Sequence, residues 1–294
     1  MRVITASDLR RMQTPRAASE TPYSARFSFA GIVTELSSDD SALLEYMQRK
    51  YAYHVSAAQP YFTYSVTTAS GGYALSCQHD GGWEWTQGAL PADALAFLTD
   101  AALMSAVVHW DPALRSMHAA AVALDGRAAI ITGNSCAGKT TTLLACARNG
   151  LKVLSDERGL LRDGLLHPFI RTCEVREQGR SLLLRDDDND TLAVALARGK
   201  LVDPLRCFGR GVVAAPARLT TIVVLSGHAE RARMERIGVA QALPALSRWF
   251  DMRGDGFDRL GGALSALRHC TCYALTLGTP AESARAVGAV LENA

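Results

Sequence analysis

A chain of 294 residues has room for one large domain or two small ones. Hydrophobic residues make up 48% and charged residues 20%, which excludes a disordered chain; a net charge of +2 leaves no electrostatic footprint for nucleic acid or a membrane surface. Met1 to Pro15 holds Arg2, Arg10 and Arg11 but no continuous apolar core, so it does not read as a secretory signal. Ala92 to Trp110, the best candidate for a membrane span, is interrupted by Asp93 and Asp100. Cysteines stand at 77, 136, 146, 173, 207, 270 and 272, an odd number with no C-x-x-C pair. Buried free thiols in a reducing cytoplasm are the expectation.

In chain order, the first ~25 residues are polar and rich in Ser, Thr, Arg and Pro, as in a terminal docking arm. Arg26 to Leu36 reads as a strand, and Asp39-Asp40-Ser41 caps a helix running to about Lys50. Tyr61–Thr68, Tyr73–Cys77 and Trp83–Thr86 read as short strands separated by Gly71-Gly72 and Gly81-Gly82. Pro91 opens a helix of about 18 residues ending near Trp110. Residues 1–110 thus form an expected small α+β domain, and Asp111-Pro112 marks the boundary with a second domain over 111–294.

Beyond the boundary, Met117–Leu124 and Ala128–Thr132 read as two strands around a tight Asp125-Gly126 turn. A helix from Thr140 to about Asn149 follows, then strands at Leu151–Leu154 and Leu219–Leu225. Val239–Phe250, Phe257–His269 and Ala281–Asn293 read as helices, with a strand at Cys272–Leu277. Two charged patches, Arg185 to Asp190 and Arg231, Arg233 and Arg236, read as solvated surface. Their alternatives are a site for a basic substrate segment and a basic anion pocket.

Between the second strand and its helix stands Gly133-Asn134-Ser135-Cys136-Ala137-Gly138-Lys139-Thr140, a complete G-x-x-x-x-G-K-[ST] phosphate loop. Gly133 and Gly138 let the backbone curl so that its N–H groups converge on phosphate. Lys139 is placed to reach the β- and γ-phosphates, the Thr140 hydroxyl to hold Mg²⁺, and Thr141 to continue the helix N-terminus aimed at the nucleotide. Cys136 sits inside the loop, so its oxidation or alkylation is expected to block nucleotide binding. ATP should then protect it from iodoacetamide.

Three further residues gather around this loop. His118 lies fifteen residues before Gly133, at the expected start of the preceding strand, and Asp156 and Glu157 lie seventeen and eighteen residues past Lys139. Strand ends in an open α/β sheet deliver side chains to the crevice where ligands sit. The stretch MHAAAVALDGRAAIITGNSCAGKTTTLLACARNGLKVLSDE, Met117 to Glu157, resembles the C-terminal domain of HPr kinase/phosphorylase and the wider HPr-kinase-like group. The resemblance covers about 40 residues tightly and 110–294 loosely. It implies an α/β fold: a P-loop kinase domain of the HPr kinase type, a mixed sheet with flanking helices, preceded by the small α+β domain. His118 and Asp156 would form its catalytic couple, with Asp156 taking the acceptor proton and His118 orienting the carboxylate. The second acid of the family helps hold the metal; here that position is Glu157, where the regulatory enzymes have Asp. The family's downstream signature is not evident, and His167-Pro168-Phe169-Ile170-Arg171-Thr172 stands in its place. That segment resembles the divergent kinases of peptide-modification clusters, including those acting on lasso-peptide precursors. Arg171 is then a candidate to steady transferred phosphate or a peptide carboxylate.

The function expected from these residues is an ATP- and Mg²⁺-dependent kinase acting on a Ser or Thr hydroxyl of a protein or peptide, in the cytoplasm. Residues 1–110 would recognise the substrate, with an exposed strand edge open to β-addition. No nucleic-acid or membrane partner is expected. Regulatory members of the family form rings, which leaves a homo-oligomer open, although the motifs here do not carry that interface. The alternatives are a small-molecule hydroxyl kinase of the same fold and a non-catalytic nucleotide-binding regulator. A P-loop motor or GTPase fits less well, because the acid lies so close to the loop.

Overall fold

The computed structural model describes residues 22–69, 72–79, 85–90, 113–175, 200–247, 250–251, 264–265 and 267–294, with isolated positions between 99 and 111. The described residues divide into two compact units between residues 112 and 113.

In the first unit, β1 (Tyr23–Phe29) and β2 (Ile32–Ser38) pair antiparallel around Ala30-Gly31. Both turn residues have positive φ, 51° and 84°, as a two-residue hairpin turn demands. Arg26 to Leu36 is therefore a hairpin and not one strand. Asp40 begins the helix Ser41–Lys50, its side chain accepting hydrogen bonds from the N–H groups of Ala42 and Leu43. Beyond the helix, β3 (Phe62–Ala69) joins β2 in parallel, and β4 (Gly72–His79) and β5 (Trp85–Leu90) extend the sheet antiparallel. The sheet is five-stranded in the order β1-β2-β3-β4-β5. Phe27, Phe29, Tyr51 and His54 pack together, the His54 ring centroid 4.7 Å from that of Phe29. Most of Pro91–Trp110 lies outside the described residues. Its described positions Thr99, Leu103, Met104, Val107 and Val108 are helical and buried, spaced as one face of a helix.

The second unit contains β6 (Arg115–His118), β7 (Ala120–Leu124), β8 (Arg127–Thr132), β9 (Lys152–Ser155), β10 (Arg158–Arg162) and β11 (Leu165–His167). After these come β12 (Cys173–Val175), β13 (Lys200–Val202), β14 (Ala217–His228), β15 (Arg233–Ile237), β16 (Phe250–Asp251) and β17 (Thr271–Leu277). Among the described residues a ten-stranded mixed sheet follows the order β16-β6-β10-β11-β14-β8-β7-β9, with β17 also on β14 and β15 on β17. The centre is parallel: β14 runs alongside both β8 and β17. β12 and β13 pair apart from this sheet.

Both faces of this sheet are covered, so its central strands are apolar on both sides. On one face Ala129 and Ile131 of β8 pack with Leu143 and Leu144 of the helix Lys139–Arg148 and with Val287 and Leu291 of the helix Pro280–Glu292. On the other, Ala128 and Ile130 pack with Ala242 and Leu246 of the helix Val239–Ser247. This is a mixed α/β architecture with flanking helices. No helix among the described residues is long and apolar enough to cross a membrane.

Several sequence readings need correction. Met117–Leu124 is broken at Ala119 into β6 and β7, which pair with different neighbours: β10 and β16 for β6, β8 and β9 for β7. His118 is therefore the last residue of β6, not the start of the strand before the loop. The helix begun at Val239 stops at Ser247, and Phe250-Asp251 is a strand on β6. Arg233 and Arg236 lie on β15, an edge strand paired with β17. The β10–β11 hairpin was missed although Asp163-Gly164, with φ of 52° and 78°, is a strong turn signal. Arg185 to Asp190, and most of Phe257–His269, lie outside the described residues.

Candidate active site

Register on β7 places the loop and the acids side by side. Ile131, near the end of β8, lies opposite Ala120, and Ser155, the end of β9, lies opposite Ala121. Both strands are antiparallel to β7, so they run the same way and end at the same edge of the sheet. The phosphate loop follows one and Asp156-Glu157 follows the other. His118 stands just before β7 at that edge.

The loop itself is tightly seated. A Cβ on Gly133 would lie 3.1 Å from Leu225 Cβ, and one on Gly138 would lie 2.9 Å from Leu277 Cδ1. Gly138 also has φ of 100°, a left-handed conformation that favours glycine. Cys136 adopts φ of 65° and is exposed with Asn134 and Ser135, while Ala137, Gly138, Thr140 and Thr141 are half-buried. Lys139 is buried, and its Nζ donates to the carbonyls of Gly133 at 3.2 Å and Asn134 at 3.1 Å. Burial lowers its pKa, against the pull of Asp156 and Cys136.

Asp156 is buried, and its carboxylate accepts hydrogen bonds from the Thr140 hydroxyl and the Cys173 thiol. Its Oδ1 is a buried acceptor with no hydrogen-bond partner. Burial pushes the Asp156 carboxyl up, opposed by Arg171, by the two hydrogen bonds and by Lys139. For His118 burial, then Lys139, Arg158 and Arg171, lower the pKa to about 4, so the ring is neutral at pH 7. Its Nδ1 lies 3.7 Å from Glu157 Oε1, which with a neutral ring is a polar contact and not an ion pair.

Arg171 reaches the site through backbone pairing. Phe169 N–H donates to the Leu154 carbonyl at 2.7 Å, and Phe169 bridges Ser155 in parallel, which lays the segment along β9. The guanidinium Nη2 then pairs with Glu157 Oε2. All of His118, Lys139, Thr140, Asp156, Glu157 and Arg171 converge at one sheet edge. Two participants were missed. Cys173, which bonds Asp156, carried no sequence signal beyond being a buried thiol. Arg158, opposite His118 in register, directly follows the two acids and was legible as a third charge at the same turn.

The residues fit Mg²⁺ in part. A Thr140 hydroxyl that donates its proton to Asp156 keeps its lone pairs for a cation. Among the described residues no cluster of three or more His, Cys, Asp or Glu could hold a metal ion by itself. A P-loop Mg²⁺ needs no such cage, because phosphates and water complete its shell. Glu157 fits less well, since its carboxylate is engaged by Arg171.

No protein-family model matches this chain, and no curated protein matches it. Among solved structures the chain is similar to the Hpr(Ser) kinase/phosphatase from Coxiella burnetii, with a TM-score of 0.32 and 14% sequence identity, over 60% of this chain and 88% of that one. A likeness of that degree decides nothing about chemistry, which rests on the residues of this chain.

Proposed function

We propose that this protein is an ATP-dependent kinase that transfers the γ-phosphoryl group to a Ser or Thr hydroxyl of a protein or peptide, in the cytoplasm. The observation that carries it is the pairing of Asp156 with Thr140 of the phosphate loop, which leaves the buried Oδ1 without a partner. A protein that only binds nucleotide has no need of a desolvated carboxylate there. The peptide acceptor, including a ribosomal lasso-type precursor, is supported by the resemblance around Arg171 and by the separate first unit with its strand edges.

The chemistry is mainly positioning and charge neutralisation. The loop amides and the Lys139 amine bind the β- and γ-phosphates. The Thr140 hydroxyl would hold Mg²⁺, which would supply neutralisation of phosphate charge. Asp156 Oδ1 accepts the proton of the substrate hydroxyl as its oxygen attacks the γ-phosphorus. The bond to ADP breaks, and ADP leaves with the electron pair. Arg171 lies close enough to lower the Asp156 pKa and steadies negative charge beside it. His118, neutral, contributes a polar wall with no charge of its own.

Intact-mass spectrometry tests this directly. Ser-containing peptides, beginning with any encoded beside this gene, are incubated with Mg²⁺·ATP and wild-type or Asp156→Asn protein. A phosphate adduct with wild type alone is the expected result. Nucleotide binding with no adduct on any peptide would move the assignment to a small-molecule kinase or a nucleotide-switched regulator.

A further inference from the structure

The resemblance assigns Glu157 to the metal, but its surroundings point elsewhere. Three backbone segments meet at this side chain. Ala119 N–H, next to His118, donates to the Glu157 carbonyl at 3.0 Å. Arg158 lies opposite His118 across β10 and β6. Phe169, two residues before Arg171, is bonded to Leu154 of β9. The side chains of His118, Glu157 and Arg171 are thus brought together by strand pairing, which fixes their spacing whatever occupies the phosphate loop.

Both carboxylate oxygens of Glu157 then face protein groups. Oε2 pairs with Arg171 Nη2, and Oε1 lies 3.7 Å from His118 Nδ1. The Arg171 side chain is only 10% exposed, against 32% for Glu157. A guanidinium so buried needs counter-charge, to which Glu157 contributes beside Asp156, and taking one partner away is costly. Ligation of Mg²⁺ by Glu157 would do that. Mg²⁺ needs only one or two carboxylates and keeps several waters, so the site does not require this one.

Resting on the kinase reading, we propose that Glu157 is a positioning residue: its carboxylate holds the Arg171 guanidinium beside Asp156 and does not ligate the metal. Arg171 acts on both neighbours of the pair, since its charge is felt at Asp156 and at His118. Loss of Glu157 therefore works through Arg171, and the two residues behave as one unit.

The test uses the full chain with Glu157→Gln, Arg171→Met and the double variant. Two quantities are measured on variants shown folded by a cooperative urea transition: turnover, and the Mg²⁺ dependence of N-methylanthraniloyl-ADP binding. The expectation is that kcat falls about tenfold or more in each single variant and no further in the double, the non-additivity of residues acting together. Half-saturating Mg²⁺ for the fluorescent nucleotide stays within about threefold of wild type in Glu157→Gln, because no ligand has been removed. A larger rise in that Mg²⁺ requirement, or losses that multiply in the double variant, overturns the proposal. If wild-type protein transfers no phosphate at all, the kinase reading fails. The Mg²⁺ dependence of nucleotide binding still decides between positioning and metal ligation for Glu157.

Discussion

At the residue scale the loop and its two acids were legible because they are contiguous motifs, and a contiguous motif needs no knowledge of the fold. Asp156→Asn preserves the shape and the Thr140 contact but removes the proton acceptor. Single-turnover transfer is expected to fall by about 10²-fold or more while nucleotide affinity stays near wild type. Unchanged turnover would remove Asp156 from the chemistry. Gly138→Ala tests the loop backbone. The new Cβ meets only Leu277 Cδ1, the end of a flexible side chain, so the cost lies in φ of 100°. A loss of about 1–2 kcal/mol in urea unfolding is expected, with weaker nucleotide binding. The thiol of Cys173 could not be found in the same way. It lies seventeen residues past Asp156 with no pattern linking them, and only the folding of Phe169–Arg171 along β9 brings that segment in.

At the element scale, capping and turn signals were the most readable. Asp40 caps its helix as the sequence indicated, and Thr279 forms a full capping box with Glu282 on the helix Pro280–Glu292. Thr279→Ala is expected to cost about 0.5–2 kcal/mol, read as a lower urea midpoint for the transition that nucleotide protects. That helix packs on the loop helix through Val287 and Leu291, so its loss of stability reaches the site. Strand breaks were far less readable. Apolar runs such as Met117–Leu124 show no interruption in hydropathy, yet Ala119 divides this one, because its N–H turns to the Met117 and Glu157 carbonyls. Likewise, the run from Arg26 hides a turn at Ala30-Gly31, where only Gly31 hinted at positive φ.

At the scale of the molecule, a buried histidine ties stability to pH. His54 in the first unit is buried, its Nδ1 2.8 Å from the Ser28 carbonyl, and burial lowers its pKa from 6.5 to about 4. The unfolded chain therefore binds more protons than the folded one between those values. Stability is full above pH 6.5 and falls with pH down to about 4, by about 3 kcal/mol from this group. His54→Gln should flatten that slope in urea titrations across the range, and an unaltered slope would exclude His54 as the cause. In the second unit, the apolar strand centres and the Asp125-Gly126 hairpin were visible in advance, while the neighbours of each strand were not, because sheet order is a long-range property. Leu225 of β14 and Leu277 of β17 leave no room for a side chain at the two glycines of the phosphate loop, from residues about 90 and 140 positions away. A graft of Gly133 to Thr140 alone onto another strand–helix junction would carry the letters of the loop without the mould that shapes it. A transplant that works must bring Leu225 and Leu277 along on their own strands.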